Sequence, residues 1–466
     1  MSTKQKNRIE KDSLGEKEVL AEVYYGVQTQ RAVENFPVSG LRAHPALIHA
    51  YAAIKKACAL ANQELGALPL EKAGPIIQAA DEILAGKWDS QFPVDVYQAG
   101  AGTSFNMNTN EVIANRAAEI LGRPLGQYDF IHPNDHVNMA QSTNDTFPTA
   151  TYIAVFAQTK KLLPVLASLA EAFLLKADEF KDVIKTARTH LQDAVPITMG
   201  QEFKAYAEAI NSCREELTRR IELLGRVALG GTAAGTGTNT LPDFREKAIN
   251  HLAAITSLPL KPATDPRMAL QSHQPLVAVS SALKELSLEL IRIANDLRLL
   301  CSGPTTGFAE IVLPAVQPGS SIMPGKVNPS ILECLNMVCF QIVGRDTAIS
   351  LCAQGGQMDL NVMTPLSAYN LLDSLSLLIH FLPSVDHRCI RGIKADSEKC
   401  RHYFEQNPSL ATLLNPRIGY ARAAEVFKEA VAKKTTITQI VVARGLIPET
   451  ELAELLDPKK TVGVLD

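Results

Sequence analysis

The sequence predicts an all-α chain, and three observations carry that expectation. Over Leu276–Leu300 the apolar residues fall at 276, 279, 283, 286, 290, 293, 297 and 300, alternately three and four apart. That is a heptad seam sustained over three repeats. Several other long stretches repeat their apolar residues at helical spacing. No convincing run of alternating strand residues occurs in the 466 residues. At 1.5 Å per residue the seam helix is about 37 Å long and suited to lengthwise packing at a shallow angle. Its partner is either the rest of the same chain or, in part, another subunit.

In chain order, residues 1–40 read as irregular, with turn signals at Tyr24-Tyr25-Gly26 and Pro37–Gly40. Helical spacing begins near Ala46 and runs to about Leu65, and Leu70–Gly86 is a second, shorter amphipathic helix. Gln98–Asn110 reads Gln-Ala-Gly-Ala-Gly-Thr-Ser-Phe-Asn-Met-Asn-Thr-Asn. Its glycines permit close backbone approach to a ligand, and its hydroxyls and amides offer neutral hydrogen bonds. Equally, it reads as a turn capping a helix over Glu111–Ile120. Ile131–Pro148 is dense in amides and hydroxyls and leads into a long helix expected from Pro148 to about Phe180. Thr189–Gly200 holds a lone histidine, His190, among Thr189, Gln192 and Asp193. A helix follows over Gly200–Arg226, then a Gly-rich turn over Gly230–Thr240, then the seam helix. Ser330–Ala353 and Leu366–Phe381 are the last long helices, and a small helical domain is expected from about residue 395.

Composition narrows the function. A formal charge of −3 and a pI near 6.4 give no electrostatic case for nucleic acid. The polar, charged stretch Met1–Asp12 is not a secretory signal, and no run of 18 apolar residues suggests a membrane span. The eight cysteines form no Cys-x-x-Cys pair and read as buried thiols. His132 and His136 are separated by Pro133 and Asn134, which suggests a turn and no zinc pair. Gly235-Thr-Gly237 lacks the third glycine of a dinucleotide fingerprint.

The most informative stretch is Gln317–Pro329, inside a loop-like segment, Ser302–Pro329, that holds four Gly and five Pro. Loops this long are uncommon, and they are functional or disordered when they occur. Ile311, Val312, Leu313, Ile322, Met323 and Val327 make it too apolar for a solvated linker. It carries paired hydroxyls (Ser320, Ser321), a cation (Lys326) and an amide (Asn328), and Asn328-Pro329 reads as the opening of a helix. That start, with a lysine just upstream, suits an anion. Five residues separate Gly319 from Gly325, and Val327 follows Lys326, so the P-loop spacing fails.

Gly319-Ser-Ser-Ile-Met-Pro-Gly-Lys-Val-Asn-Pro329 resembles the signature loop of the aspartase/fumarase superfamily. Gly102–Arg116, Ser142-Thr-Asn-Asp145, Thr189-His-Leu-Gln-Asp193 and Gln357–Val362 resemble further family blocks in the family order. The resemblance implies a mainly all-α, three-domain fold, divided here as 1–142, 143–394 and 395–466. Its central bundle of long helices would form a tetrameric core, with active sites shared between subunits. It implies elimination without a cofactor or metal: a base takes a proton beside a carboxylate, and ammonia or water leaves from the next carbon. The expected substrate is a small molecule, with no nucleic acid or membrane partner and a cytoplasmic location. Thr103-Ser104, Val137-Asn-Met139, Thr143 and Val195 resemble aspartate ammonia-lyases, acting between L-aspartate, fumarate and ammonia, more than fumarate hydratases.

Carried over residue by residue, the resemblance makes Ser320 the base. Lys326, Asn328 and Thr189 would hold the α-carboxylate, and Ser142, Thr143 and Ser321 the β-carboxylate. Thr103, Asn144 and His190 would contact the leaving ammonium. Gly319 and Gly325 would be hinges of a closing loop. Thr305, Arg345, Thr364 and Arg417 depart from the family pattern outside this set. A non-catalytic helical scaffold is the rival from another class, and the intact Ser320, Lys326, Asn328 and His190 argue against it.

Overall fold

A computed structural model describes residues 6–463, so the first five residues of the stretch expected to be irregular lie outside it. The elements run β1 (Asn7–Asp12), β2 (Gly15–Leu20), α1 (Val27–Asn35), α2 (Pro45–Glu64), α3 (Leu70–Leu84), α4 (Thr103–Ile120) and α5 (Thr143–Glu179). There follow β3 (Ile184–Thr189), β4 (Gln192–Thr198), α6 (Met199–Ile221), β5 (Arg226–Val227), α7 (Phe244–Thr256), β6 (Lys261–Pro262), α8 (Pro266–Gln271) and α9 (Gln274–Leu300). The last part comprises β7 (Ile311–Val312), α10 (Ser330–Gln354), α11 (Thr364–Arg388), β8 (Lys394–Ala395), α12 (Ser397–Gln406) and short helices to Thr461. The fold is mainly α, as expected, and each long helix overlaps a stretch of helical spacing, though α4 and α5 start earlier than the sequence suggests.

The strands correct the expectation of none. They form four two-stranded ribbons among the described residues. β1 and β2 pair antiparallel, with Glu10 opposite Lys17 and Lys11 opposite Glu16. Opposite charges facing across a ribbon stabilise it without an apolar face, so no hydrophobic alternation announces it.

The chain divides into two compact units. The first comprises the residues up to Leu163, Glu215–Glu285 and Gln341–Leu378. In it, edge-to-face rings of Tyr51, Phe105 and Phe147 form an aromatic core beneath the N-terminal ends of α4 and α5. Glu111 accepts hydrogen bonds from Gly26 N (2.9 Å), Gln28 N (2.8 Å) and Thr29 N (3.1 Å), placing a carboxylate on the first amides of α1. Burial still drives its pKa up to about 7 against those hydrogen bonds.

The second unit comprises Pro164–Arg214, Leu286–Phe340 and the chain from Ile379 onward. Within it, Phe404, Leu410, Leu414, Val426, Ile437, Ile440, Val441 and Leu452 form a separate small core of the C-terminal helices.

All eight seam residues of α9 are buried within the chain. The seam therefore serves intramolecular packing, and the reading of it as a subunit contact is corrected. The exposed apolar residues Met337, Phe340 and Leu351 lie on α10 instead. Helix α5 is long and apolar enough, by length and composition, to cross a membrane. More than half of its apolar stretch is packed inside the protein, as in a core helix.

Candidate functional site

The expected site residues fall into two sets, one in each unit. In the first, α4 begins at Thr103, eight residues earlier than the sequence suggests. Thr103, Ser104, Asn106 and Asn108 are thus helical and not part of a loop, and Asn106, Asn108 and Asn110 are buried. Gly102 precedes the helix at φ +94°, and a Cβ there would stand 2.0 Å from Phe147 Cδ2, so only glycine fits.

Helix α5 begins at Thr143 and not at Pro148. Ser142 Oγ accepts from Asn144 N (3.2 Å), and Asp145 Oδ1 accepts from Ser142 N (3.0 Å). This N-terminal pairing is legible as Ser-x-x-Asp before an apolar run, and it would have located the helix start. Asp145 Oδ2 accepts from Gly230 N (3.0 Å) and Thr232 N (2.8 Å), and Asn144 Nδ2 donates to Ala233 O (2.8 Å). The Gly-rich turn is thereby tied to the Ser142–Asn144 corner. Burial raises the Asp145 pKa to about 6, opposed by these backbone N–H groups.

The structure brings Thr103 and Thr143 together, Oγ1 to Oγ1, at 3.3 Å. Asn106 Nδ2 donates to Thr143 Oγ1 at 3.0 Å. Beneath them lies Lys55, fully buried, its Nζ donating to Asn106 Oδ1 (2.7 Å), Asn138 Oδ1 (3.0 Å) and Gln141 Oε1 (2.8 Å). Lys55 is not singled out by the sequence, and Asp145 enters there only as the last residue of the Ser142–Asp145 block. A lysine in an amphipathic helix reads as a solvated one, and only the tertiary fold puts the amides around it.

In the second unit, β3 and β4 form an antiparallel hairpin, where the sequence suggests only a polar cluster. His190 and Leu191 occupy its two-residue turn at φ +57° and +60°. Thr189 and His190 are exposed at the tip. The hairpin is anchored next door: Arg188 Nη2 donates to Glu310 Oε1 at 2.7 Å, and Lys185 Nζ lies 2.9 Å from Glu310 Oε2. Burial would lower the Lys185 pKa, yet the Glu202 and Glu310 carboxylates hold it above its ordinary value. Glu310 belongs to the long loop, so this buried node joins the Thr189–His190 hairpin to the segment that leads to Ser320.

That loop is closed on itself. Gly319 N donates to Lys326 O at 2.8 Å, and Asn328 Nδ2 donates to Gly319 O at 2.6 Å. Asn328 thus fastens the loop instead of capping the helix, and α10 starts at Ser330. A Cβ on Gly319 would stand 2.6 Å from Lys326 O. Ser320 Oγ accepts from Ile322 N (3.2 Å) and Met323 N (3.0 Å). Ser321 and Lys326 are exposed on the same loop. Among the described residues no hydrogen bond or ion pair joins Thr189 or His190 to this loop. The arrangement offers a hydroxyl that receives two backbone N–H groups, on a loop that also carries the exposed Lys326.

His132 caps a single π-helical turn, Pro133–Val137, and His136 lies within it. His136 Nε2 is 2.8 Å from Lys72 Nζ, and its Nδ1 accepts from His132 N.

A family model described as Lyase matches residues 15–344, and one described as Fumarase C C-terminus matches residues 410–463. An aspartate ammonia-lyase of a Bacillus species is 48% identical over 97% of this chain and 96% of its own length. A class II fumarate hydratase of Thermosynechococcus vestitus is 47% identical over 95% of each. Among solved structures, a fumarate lyase:delta crystallin from Brucella melitensis, bound to cobalt, superposes with a TM-score of 0.96 at 47% identity. It covers 98% of this chain and all of its own. A class II fumarase from Schistosoma mansoni gives 0.95 at 36% identity, over 98% of this chain and 99% of its own.

Proposed function

Because this chain belongs to the lyase family of aspartate ammonia-lyases and class II fumarate hydratases, we propose that it eliminates ammonia reversibly from L-aspartate to give fumarate. The observation that carries the chemistry is Ser320, whose Oγ receives two backbone N–H groups in a closed loop. Serine is a weak base at its ordinary acidity, and such donors together with Lys326 favour its alkoxide. Ser320 takes the C3 proton, and the C–H electron pair moves into an enediolate at the β-carboxylate. That pair then forms the C2–C3 double bond as the C2–N bond breaks, and nitrogen leaves with its own electrons.

In this reading Lys326, Asn328 and Thr189 hold the α-carboxylate. Ser142, Thr143 and Ser321 hold the β-carboxylate, where neutral preorganised donors stabilise growing charge without reorganising. Thr103, Asn144 and His190 contact the leaving ammonium. We propose a three-part chain, 1–142, 143–394 and 395–466, assembled as a homotetramer that completes each site with residues from several subunits. The exposed Met337, Phe340 and Leu351 of α10 supply an apolar face for that assembly. Light scattering tests it, with a mass near four chains expected and a fully active monomer excluding it.

The second reading is fumarate hydratase, favoured by the nearly equal identity to the two kinds of relative. One assay separates them: fumarate formation followed by ultraviolet absorbance with L-aspartate and L-malate in parallel. Turnover of L-aspartate above L-malate is expected, and the reverse order would replace the first reading by the second.

A further inference from the structure

Lys55 sits in α2 with no exposed surface and, among the described residues, no carboxylate hydrogen-bonded to its ammonium group. Such a group is costly to bury. Burial pushes its pKa down to about 7, with Cys58 and Asp145 opposing the fall. A methionine of similar length would fill the same space without that cost. A particular use of the charge is therefore to be sought in what the ammonium touches.

An ammonium has three N–H donors and no acceptor. All three meet amide oxygens, of Asn106, Asn138 and Gln141, at 2.7–3.0 Å. The orientation of each amide is thereby decided, because a flipped amide would turn N–H against N–H. The other ends agree. Gln141 Nε2 donates to Val137 O and Met139 O, and Asn138 Nδ2 donates to Gln141 O. Asn106 is left with its NH2 facing Thr143 Oγ1 at 3.0 Å and Asn138 Oδ1 at 3.2 Å.

An amide N–H only donates, so Thr143 Oγ1 accepts from Asn106. The neighbouring Thr103 has one hydroxyl proton. Gly100 O stands 2.6 Å from Thr103 Oγ1, and Thr143 Oγ1 stands at 3.3 Å. The shorter contact is to a carbonyl, which cannot donate, so it takes that proton. In the 3.3 Å contact Thr103 Oγ1 lies on the donor side, so among the described hydrogen bonds Thr143 donates its own proton to no protein acceptor.

We propose that Lys55 is a positioning residue which, through the Asn106 amide, sets the Thr143 hydroxyl as a hydrogen-bond donor to a carboxylate of the substrate. The proposal rests on the reading of Thr143 as a carboxylate contact. A carboxylate is an acceptor only, so a hydroxyl already committed as donor binds it without rearranging. In its protonated form Lys55 also places a positive charge at the far end of the relay, which polarises the Asn106 N–H toward Thr143.

The test is a double-mutant cycle on the full-length protein, with Lys55→Met, Thr143→Val and the pair. It is read as kcat/KM with whichever of L-aspartate or L-malate is turned over, and as Ki for succinate. Thr143→Val removes one donor and should lower kcat/KM about 10²-fold. Lys55→Met should lower it by a similar factor, and the double variant should be no worse than the poorer single one. A merely structural lysine would not produce that non-additivity. Losses that multiply overturn the relay, as does Lys55→Met with unchanged kinetics. Unchanged kinetics in Thr143→Val instead remove the carboxylate role itself, and the proposal with it. Circular dichroism checks folding. Should Lys55→Met fail to fold, Asn106→Leu cuts the relay while keeping the lysine, and the same cycle with Thr143→Val decides.

Discussion

Asn328 Nδ2 donates to the carbonyl of Gly319 across 2.6 Å, closing a loop whose interior carries Ser320, Ser321 and Lys326. Gly319 N completes the closure on Lys326 O. The loop's geometry thus depends on a residue that contributes no side chain. A methyl group at Gly319 would stand 2.6 Å from Lys326 O and 2.7 Å from Asn328 N, both backbone atoms that cannot swing away. Gly319→Ala should therefore displace the loop and lower kcat/KM by about 10²-fold, the scale of misplacing a reacting group by an ångström. The loop is largely exposed, so the melting temperature should move little. Wild-type kinetics in this variant would show that the closure does not matter.

Ser320 and Ser321 are adjacent hydroxyls, but only Ser320 receives two backbone N–H groups in the described hydrogen bonds. The base assignment predicts that Ser320→Ala abolishes both elimination and exchange of the C3 proton with solvent deuterium, while a substrate analogue still binds. Ser321→Ala should slow elimination by about 10²–10³-fold, as for a lost oxyanion donor, and leave some exchange. The opposite pattern of exchange reverses the two roles.

Legibility followed the kind of force that makes each element. The α9 seam was plain because burial imposes a period on apolar residues, and the Ser320 loop because its composition suits neither a linker nor a helix. The starts of α4 and α5 were not. Asn106, Thr143 and Asp145 look like turn residues, yet they lie in helices, where Asn106 meets Lys55, Thr143 meets Asn106, and Asp145 meets Gly230 and Thr232, all from distant segments. The β3–β4 hairpin was hidden for a related reason. Its turn residues, His190 and Leu191, take positive φ without being glycine or asparagine, so the usual hairpin signal is missing. The candidate residues themselves came from motif resemblance. The supports Lys55 and Glu310, and the tie from Asp145 to the Gly-rich turn, came only from the fold.

Asp145 shows what such a support is worth. Its Oδ1 takes the Ser142 amide and its Oδ2 takes those of Gly230 and Thr232. An asparagine has one oxygen and one NH2, so Asp145→Asn must turn N–H against either the helix cap or the Gly-rich turn. Leaving buried donors unpaired costs about 1–3 kcal/mol, which a urea titration should register. Turnover should fall as well, because the same turn is tied to Asn144 through Ala233 O. Unchanged stability would mean that the turn finds other acceptors.

His273, at the start of α9, is 2% exposed. Its Nε2 lies 3.1 Å from Thr364 Oγ1, and its Nδ1 has no hydrogen-bond partner. Burial pushes its pKa down to about 4. In the unfolded chain a histidine titrates near 6.5. Between these values the unfolded state binds a proton that the folded state does not. The contribution of His273 is therefore fully present above about pH 6.5 and is lost as the pH falls toward about 4, at up to about 1.4 kcal/mol per pH unit. Thr364 matters here because its hydroxyl is the group that meets Nε2. A carboxylate beside Nε2 would favour the imidazolium and raise the pKa, whereas a threonine hydroxyl does not. Urea unfolding over this range should show the acid loss in the wild type and a flatter profile in His273→Gln. Thr364→Glu should flatten it too, by bringing the folded pKa back toward its unfolded value. Parallel profiles for the wild type and His273→Gln would show that the buried imidazole does not govern acid stability.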